Sequence, residues 1–521
     1  MRFSQTYTLI ACLVLVGFTA GCPRSGKVST GKSPGDSGEA LPEDLLKSAI
    51  HQLRPENYTI AAETDKPVNL LNSWRSKVQA STPTAADLSQ IPPGWITETQ
   101  ATRIQEATYD IGDAFHIRDA MLTHAIATFL ASRAPDDVGQ VQAIFDYVVR
   151  NIALRDESDL PLDPYSLLLL GTGSPEDRAW ICASLLSQLR MDSVIVRPQG
   201  DPDPETWLLG VLLNGKIYLF DPRMGIAVPS TDDLAATSRA PATLEAIVAH
   251  PEWLKSLSVR PDEPYPIDAK MLEQPEIAPI INSVSWSQRM KQLEAVLPAE
   301  DVCVLYDPVS DEGGQAGLLS RLKKGIPGWK PEQKPWGYPS QRPELMKKMS
   351  PSAQNEIQLN QQILKLPIPV NVDPVEKKIT IGNPEFKMLR IRTDQMLGKF
   401  DDANKRYLSI RHLELDPLPA PVPQIEAMNR IAADFATYWT AVCKFEAGEY
   451  ASAVEQLNNY LKRYERGGRW GFAARALLAE SYARLGDYKQ AVATLDRLRS
   501  DDPYRASNAI RVKRWNAQAA K

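Results

Sequence analysis

Gly448-Glu449-Tyr450-Ala451-Ser452-Ala453-Val454 returns 38 residues later as Gly486-Asp487-Tyr488-Lys489-Gln490-Ala491-Val492, and a weaker copy, Gly398-Lys399-Phe400-Asp401-Asp402-Ala403, stands upstream. Each copy sets an aromatic two residues after a glycine and an alanine three residues after that aromatic. Glycine accepts the left-handed backbone that ends a helix, and alanine lets the next helix pack closely. An apolar helical stretch precedes each strong copy: Ala436 to Phe445 with Tyr438 and Trp439, and Ala474 to Leu485 with Ala479 and Tyr482. Repetition on this scale marks a stacked array whose units bury their faces only against neighbours. Residues 376–521 are therefore expected to be all-α.

On those residues the C-terminal region resembles the tetratricopeptide repeat. The 38-residue spacing exceeds the usual ~34 by an insertion around Gly467-Gly468. The resemblance implies a concave surface that grips a peptide or helix of a protein partner. Tyr460, Tyr464 and Trp470 are candidate contacts, with core packing as their alternative role.

Working outward, residues 97–262 read as an α+β unit. Helices are expected over 117–132 and 135–152, the second with Val141, Ile144, Phe145 and Val148 on one face. A third starts sharply at Ser174, with Pro175 at the first helical position and Asp177 as a capping-box acid, and runs to about Arg190. Strands follow over 193–197, 207–213 and 216–220, the last two joined by Asn214-Gly215, a strong hairpin signal. Residues 263–375 form a smaller α/β segment, with a helix over 287–297, a strand over 301–306 and a Pro/Trp-rich loop over 325–343. Residues 46–96 are an N-terminal segment of mixed signals.

The 97–262 unit resembles the transglutaminase-like fold, a relative of papain, from Ile144-Phe145-Asp146-Tyr147-Val148 through Gly173 and Asp177-Arg178-Ala179-Trp180 to Asp221-Pro222. That resemblance implies helices packed on an antiparallel sheet, with a cysteine nucleophile at the central helix N-terminus, where the macrodipole lowers a thiol pKa. It further implies a histidine base on the next strand and an aspartate that orients it. Here the nucleophile position holds Pro175, the base position holds Glu205, and only Asp221 agrees with the triad. Ser174 is adjacent to the nucleophile position but is explained as the helix cap. Catalysis of the family kind is not expected. Glu205 and Asp221 remain as a candidate carboxylate pair that, with Glu176 and Asp177, either binds a cation or works as acid and base, or is a solvated acidic rim.

The first 21 residues read as a secretory signal: Arg2, then the apolar run Leu9 to Phe18, then small residues. Ala20-Gly21-Cys22 resembles the lipobox of bacterial lipoproteins, with Thr19 in place of the usual Leu. The resemblance implies lipid on Cys22 and an exported protein held at the cell envelope, on the periplasmic side or the cell surface. An ordinary signal peptide with Cys22 incidental is the alternative. Residues 22–45 are rich in Gly, Ser, Lys and Pro and read as a flexible tether.

The 521 residues carry a net charge of -5, which gives no basic face for nucleic acid. Cys182, Cys303 and Cys443 lie too far apart for a metal pair, and the five histidines show no zinc spacing, so no metal or cofactor is expected. Two functions follow from these readings. The first is a lipid-anchored, non-catalytic interaction or scaffold protein with a membrane and a protein partner. The second is a hydrolase with altered catalysis on peptide or envelope polymer, through Ser174 or the acidic pair.

Overall fold

The computed structural model describes residues 41–57, 64–78, 86–155, 160–199, 206–236, 240–415, 417–464, 468–495 and 500–521. Cys22, the expected signal peptide, residues 22–40 of the expected tether and Glu205 lie outside them. The tether expectation is cut short, because a helix already begins at Pro42 and runs to Leu53. Among the described residues, no helix is long and apolar enough to cross a membrane.

The mixed unit is built on α1 (Ile111–Ala131), α2 (Asp137–Asn151), α3 (Pro164–Leu170) and α4 (Pro175–Ser187). Asp110 starts α1 six residues ahead of the expected Ile117, through a capping box with Asp113. Five strands follow: β1 (Asp192–Arg197), β2 (Leu208–Leu213), β3 (Lys216–Asp221), β4 (Ile226–Ala227) and β5 (Glu276–Pro279). Their order is β4-β3-β2-β1-β5, antiparallel throughout. Asn214 and Gly215 both take positive φ, +51° and +74°, as the β2–β3 hairpin turn requires.

Both faces of the sheet are buried. Ile195, Leu209, Val211 and Phe220 join the helices on one side, where Phe145 of α2 meets Phe220 at 4.8 Å. Val194, Val196, Leu208, Ile217 and Leu219 face a second core that contains Trp95, Trp286 and Trp329. Strand β5 comes from the 263–375 segment and covers the free edge of β1, so that segment completes the sheet.

Two local expectations for the middle segment change. Residues 302–307 pair with no strand. Their backbone is held by side chains instead: Gln188 bonds both the N–H and the carbonyl of Val304, and Glu294 accepts from the N–H groups of Leu305 and Tyr306. The Pro-rich stretch is not loop to its end, because a helix spans Tyr338–Lys347 with Pro343 inside it.

The C-terminal region is a helical repeat. It pairs α5 (Lys387–Met396) with α6 (Phe400–His412), α7 (Pro423–Glu446) with α8 (Tyr450–Arg463), and α9 (Gly471–Arg484) with α10 (Tyr488–Leu495). The turn glycines Gly398, Gly448 and Gly486 have φ of +79°, +80° and +80°, which places the weak third copy in the same geometry as the strong ones. A Cβ at Gly448 or Gly486 would meet nothing, so the backbone conformation itself asks for glycine there. A last helix, α11 (Arg505–Ala519), packs on α10 and returns to the mixed unit. Arg505 donates to Glu263 at 2.7 Å and Lys513 to the Ser258 carbonyl at 2.8 Å. One apolar cluster runs from Leu46 to Tyr504, so repeats and sheet unit share a core.

Candidate functional site

At the N-terminus of α4, Ser174 Oγ accepts the Asp177 N–H at 3.2 Å and Asp177 Oδ2 accepts the Ser174 N–H at 2.9 Å. Pro175 follows at the first helical position, without an N–H to offer. This capping box is the one the residues predict. Its other partners come from far along the chain. The Tyr338 hydroxyl donates to Asp177 Oδ1 at 2.8 Å and stands 3.2 Å from Ser174 Oγ. Arg342 Nη2 donates to the same carboxylate oxygen at 2.7 Å.

Aromatic packing closes the helix mouth. Trp336 stacks on Tyr338 at 4.9 Å, Trp207 lies 6.0 Å from Trp336, and Trp180 meets Tyr338 edge-on at 6.3 Å. The Arg342 guanidinium sits 4.0 Å over the Tyr338 ring. With Tyr338 donating to Asp177, the Ser174 proton is left for the phenol oxygen. An activated serine needs a base in that place. Among the described residues no histidine bonds Ser174: His116 bonds Leu305 and Asn282, His124 approaches Thr128, and His250 stacks on Trp253.

Asp221 at the end of β3 is buried and its acceptors are used. It accepts the Tyr265 hydroxyl at 2.7 Å, the N–H groups of Arg223 and Met224 at 2.9 and 3.2 Å, and the Arg223 guanidinium at 3.2 Å. Burial and the Asp221 charge hold the Tyr265 hydroxyl far above its ordinary pKa, so it stays a donor. Asp177 and Asp221 thus answer to separate partners rather than to one another, while Glu205, the expected carboxylate partner of Asp221, lies outside the described residues. No group of three or more His, Cys, Asp or Glu among the described residues is placed to hold a metal. Burial pushes the thiols of Cys182 and Cys443 up, and that of Cys303 to about 12, which leaves all three protonated and unreactive at neutral pH.

The repeats meet the sheet unit along α7. Arg150 of α2 pairs with Glu446 at 2.8 Å, with both side chains mostly buried. Arg392 of α5 lies 3.5 Å over the Trp439 ring and donates to the Leu168 carbonyl at 2.9 Å. Gly171, which ends α3 with φ +66°, sits so close that a Cβ would stand 2.3 Å from Trp439. Arg178, one residue past the cap acid, donates to the carbonyls of Ile152, Val149 and Pro222. Its guanidinium also reaches the Tyr504 hydroxyl at 3.4 Å, and that hydroxyl accepts the Leu154 N–H at 2.8 Å.

This docking bears on two expectations. The first-helix face of the middle repeat is filled by the chain's own sheet unit and does not stand as an open concave groove. Tyr460 and Trp470 are buried in the array and take the packing role that was their alternative. The Tyr460 hydroxyl donates to Asp434 at 2.7 Å and accepts the Trp470 N–H at 3.0 Å, while the Trp470 ring stacks on Tyr438 at 4.6 Å. Tyr464 is half-buried and donates to Glu414 at 3.3 Å. Apolar exposure on the repeats falls elsewhere, on Leu408, Leu415 and Leu485. None of these three was legible as a contact, because a single exposed leucine carries no sequence signal.

Residues 432–498 match the family model described as anaphase-promoting complex, cyclosome, subunit 3. The match covers most of α7 and reaches through both strong copies of the glycine–aromatic–alanine motif. No curated protein and no solved structure matches the chain. Together with the three equivalent turns, the match establishes tetratricopeptide-like helical repeats in the C-terminal region, an architecture that serves protein interaction.

Proposed function

We propose that this chain is a lipid-anchored protein of the bacterial envelope, in which a transglutaminase-like unit without catalysis carries a repeat array that binds a protein partner. The observation that supports the non-catalytic reading best is the mouth of α4. Pro175 occupies the nucleophile position, and Trp336, Tyr338 and Arg342 fill the space a substrate would enter. The hydrolase reading lacks a base for Ser174 among the described residues, and one member of its acidic pair, Asp221, is spent on Tyr265 and Arg223. Protein assembly is supported by the family match, whose description is of a subunit of a complex. With the inner face of α7 occupied, the partner surface is the outward side of the array near Leu408, Leu415 and Leu485.

The anchor rests on the sequence around Cys22. Metabolic labelling with an alkyne fatty acid in a lipoprotein-processing host tests it. The expected result is label on the wild-type chain and none on Cys22→Ala, which leaves the envelope as a folded protein. Equal labelling of both would remove the anchor from the account. For catalysis, turnover of an amide, ester or glycan substrate that Ser174→Ala abolishes would overturn the non-catalytic reading.

A further inference from the structure

Lysines gather where the β2–β3 hairpin meets the helix Leu318–Gly325. A Cβ on Gly325 would stand 2.5 Å from Leu212 of β2, so the C-terminal end of that helix lies against the strand. Leu213, the next residue, pairs with Lys216 just past the hairpin turn. Lys216 is thereby brought to the same end of the sheet as Lys323 and Lys324, which occupy the last turn of the helix. Lys330 and Lys334 follow in the turns beyond it. There the Trp329 and Gln333 N–H groups bond the carbonyls of Ile326 and Lys330 at 3.1 Å, and the Pro331 carbonyl accepts the Trp95 indole N–H at 2.9 Å.

All five of these lysines are exposed, and none pairs with a carboxylate among the described residues. Exposed lysines elsewhere do find one, as Lys291 does at Glu312 and Lys347 at Glu344. The acids nearby do not cancel the patch. Arg321 on the same helix holds Asp192 and Asp307, and Glu332 stands exposed between Lys330 and Lys334. Six cations against three carboxylates leave +3 here, in a chain whose total is -5. Asp311 and Glu312, at the other end of the helix, are committed to the Gly317 N–H and to Lys291. At physiological salt charges act over only ~8 Å, so a facing surface meets these lysines and not the chain's total.

We propose that this patch docks the body of the chain on an anionic lipid surface, with the ammonium groups of Lys216, Lys323, Lys324, Lys330 and Lys334 meeting lipid phosphates. Four of the five, Lys334 excepted, lie outside the lining of the large groove beside α1 and α4, on open surface. Open, unpaired lysines suit a broad anionic face better than a single compact anion. The described chain begins at Leu41, 19 residues after Cys22, and that length spans at most ~65 Å. A chain anchored at Cys22 is therefore held within reach of the bilayer. The docking rests on the envelope location proposed above, but it uses no acyl chain, no repeat surface and no residue at the mouth of α4.

Vesicle sedimentation of the full chain carrying Cys22→Ala tests this without the anchor. Vesicles of phosphatidylcholine alone are compared with equal parts phosphatidylcholine and phosphatidylglycerol at ~0.1 M salt, where the Debye length is ~10 Å. Binding is expected to the mixed vesicles and not to the neutral ones, and ~1 M salt should abolish it. Each lysine at an anionic surface favours binding ~5-fold, so Lys323→Gln/Lys324→Gln/Lys330→Gln should weaken it at least ~10-fold. Its melting temperature should hold, because these side chains are exposed and support no partner. Lys405→Gln/Lys462→Gln removes exposed lysines of the repeats and should leave binding unchanged. Equal binding to neutral vesicles, no binding to mixed ones, unchanged binding of the triple variant or an equal loss in the repeat control would each overturn the docking. So would capture by soluble polyphosphate without vesicle binding, which would assign the patch to a soluble polyanion. Cys22 labelling reads the anchor alone and the vesicles read the patch alone, so either can fail without the other.

Discussion

Replacing Arg150 by methionine is predicted to destabilise the full chain much more than replacing its partner Glu446 by glutamine. The pair spans the junction between α2 and α7, with side-chain exposures of 14% and 8%. Arg150 is the central cation of a mixed cluster. Glu446 of α7, Glu480 of α9 and Asp146 of α2 all act on it and hold its charge, while Arg484 and Arg511 are the other cations near Glu480. Removing Arg150 leaves buried carboxylates facing each other, and breaking a buried pair in this way costs ~3–5 kcal/mol. Glu446→Gln keeps an oxygen to accept from Arg150 and leaves Asp146 and Glu480 to balance it, so its cost is that of one weakened hydrogen bond, ~1 kcal/mol. Urea unfolding followed by tryptophan fluorescence measures both, since Trp439 and Trp470 are buried beside the junction. A shift for Arg150→Met no larger than that for Glu446→Gln, or one below the ~1 kcal/mol of an exposed pair, would refute a closed junction.

Further expectations concern pH, turns and caps. Burial raises the Asp146 carboxyl from its ordinary value to about 6, so the folded chain holds this proton more tightly than the unfolded one. Its contribution is greatest below the unfolded value near 4 and declines as pH rises to about 6. Asp146→Asn should therefore flatten the pH dependence of unfolding over that window and add ~1–3 kcal/mol at pH 8. Gly171→Ala should cost more than Gly486→Ala. Both glycines have positive φ, a strain of ~1–2 kcal/mol for alanine, but only the first would also drive a methyl into Trp439. Thermal melts of the two variants check this. Ser174→Ala should lower stability by ~1 kcal/mol through loss of the helix cap, read as a melting shift.

What the sequence made legible was local. Ser174-Pro175-Glu176-Asp177 and Asn214-Gly215 decide their backbone within four residues, and both appear as expected. The repeat motif was legible because each glycine, aromatic and alanine acts on its own turn. The site was harder, because its decisive contacts are distant: Tyr338 reaches Asp177 across 161 residues, and Arg178 reaches Tyr504 across 326. Nothing in periodicity announces such a contact. The choice between contact and core packing at Tyr460 and Trp470 stayed open in the sequence for the same reason. A repeat motif reports how helices pair and is silent on what fills their inner face. The 302–307 stretch has strand-like residues, yet the side chains of Gln188 and Glu294 take its hydrogen bonds before any strand can.

The junction also changes how partner binding is best tested. Removing residues 425–521 would strip part of the apolar cluster shared by both units and take Trp439 away from Gly171. Substitutions at Leu408, Leu415 and Leu485 leave that core intact. Charged replacements at these three positions are expected to lose a protein partner recovered from solubilised envelope without shifting the melting temperature.

In the isolated chain the repeat array is closed against the sheet unit. Hydrogen exchange of the backbone over 432–446, read peptide by peptide, tests this most directly. Residues 432–446 should exchange as slowly as β1 to β3, because the two regions share one core and open together. Exchange of 432–446 many-fold faster than the sheet, slowing only on addition of a partner, would show an open groove and contradict the account.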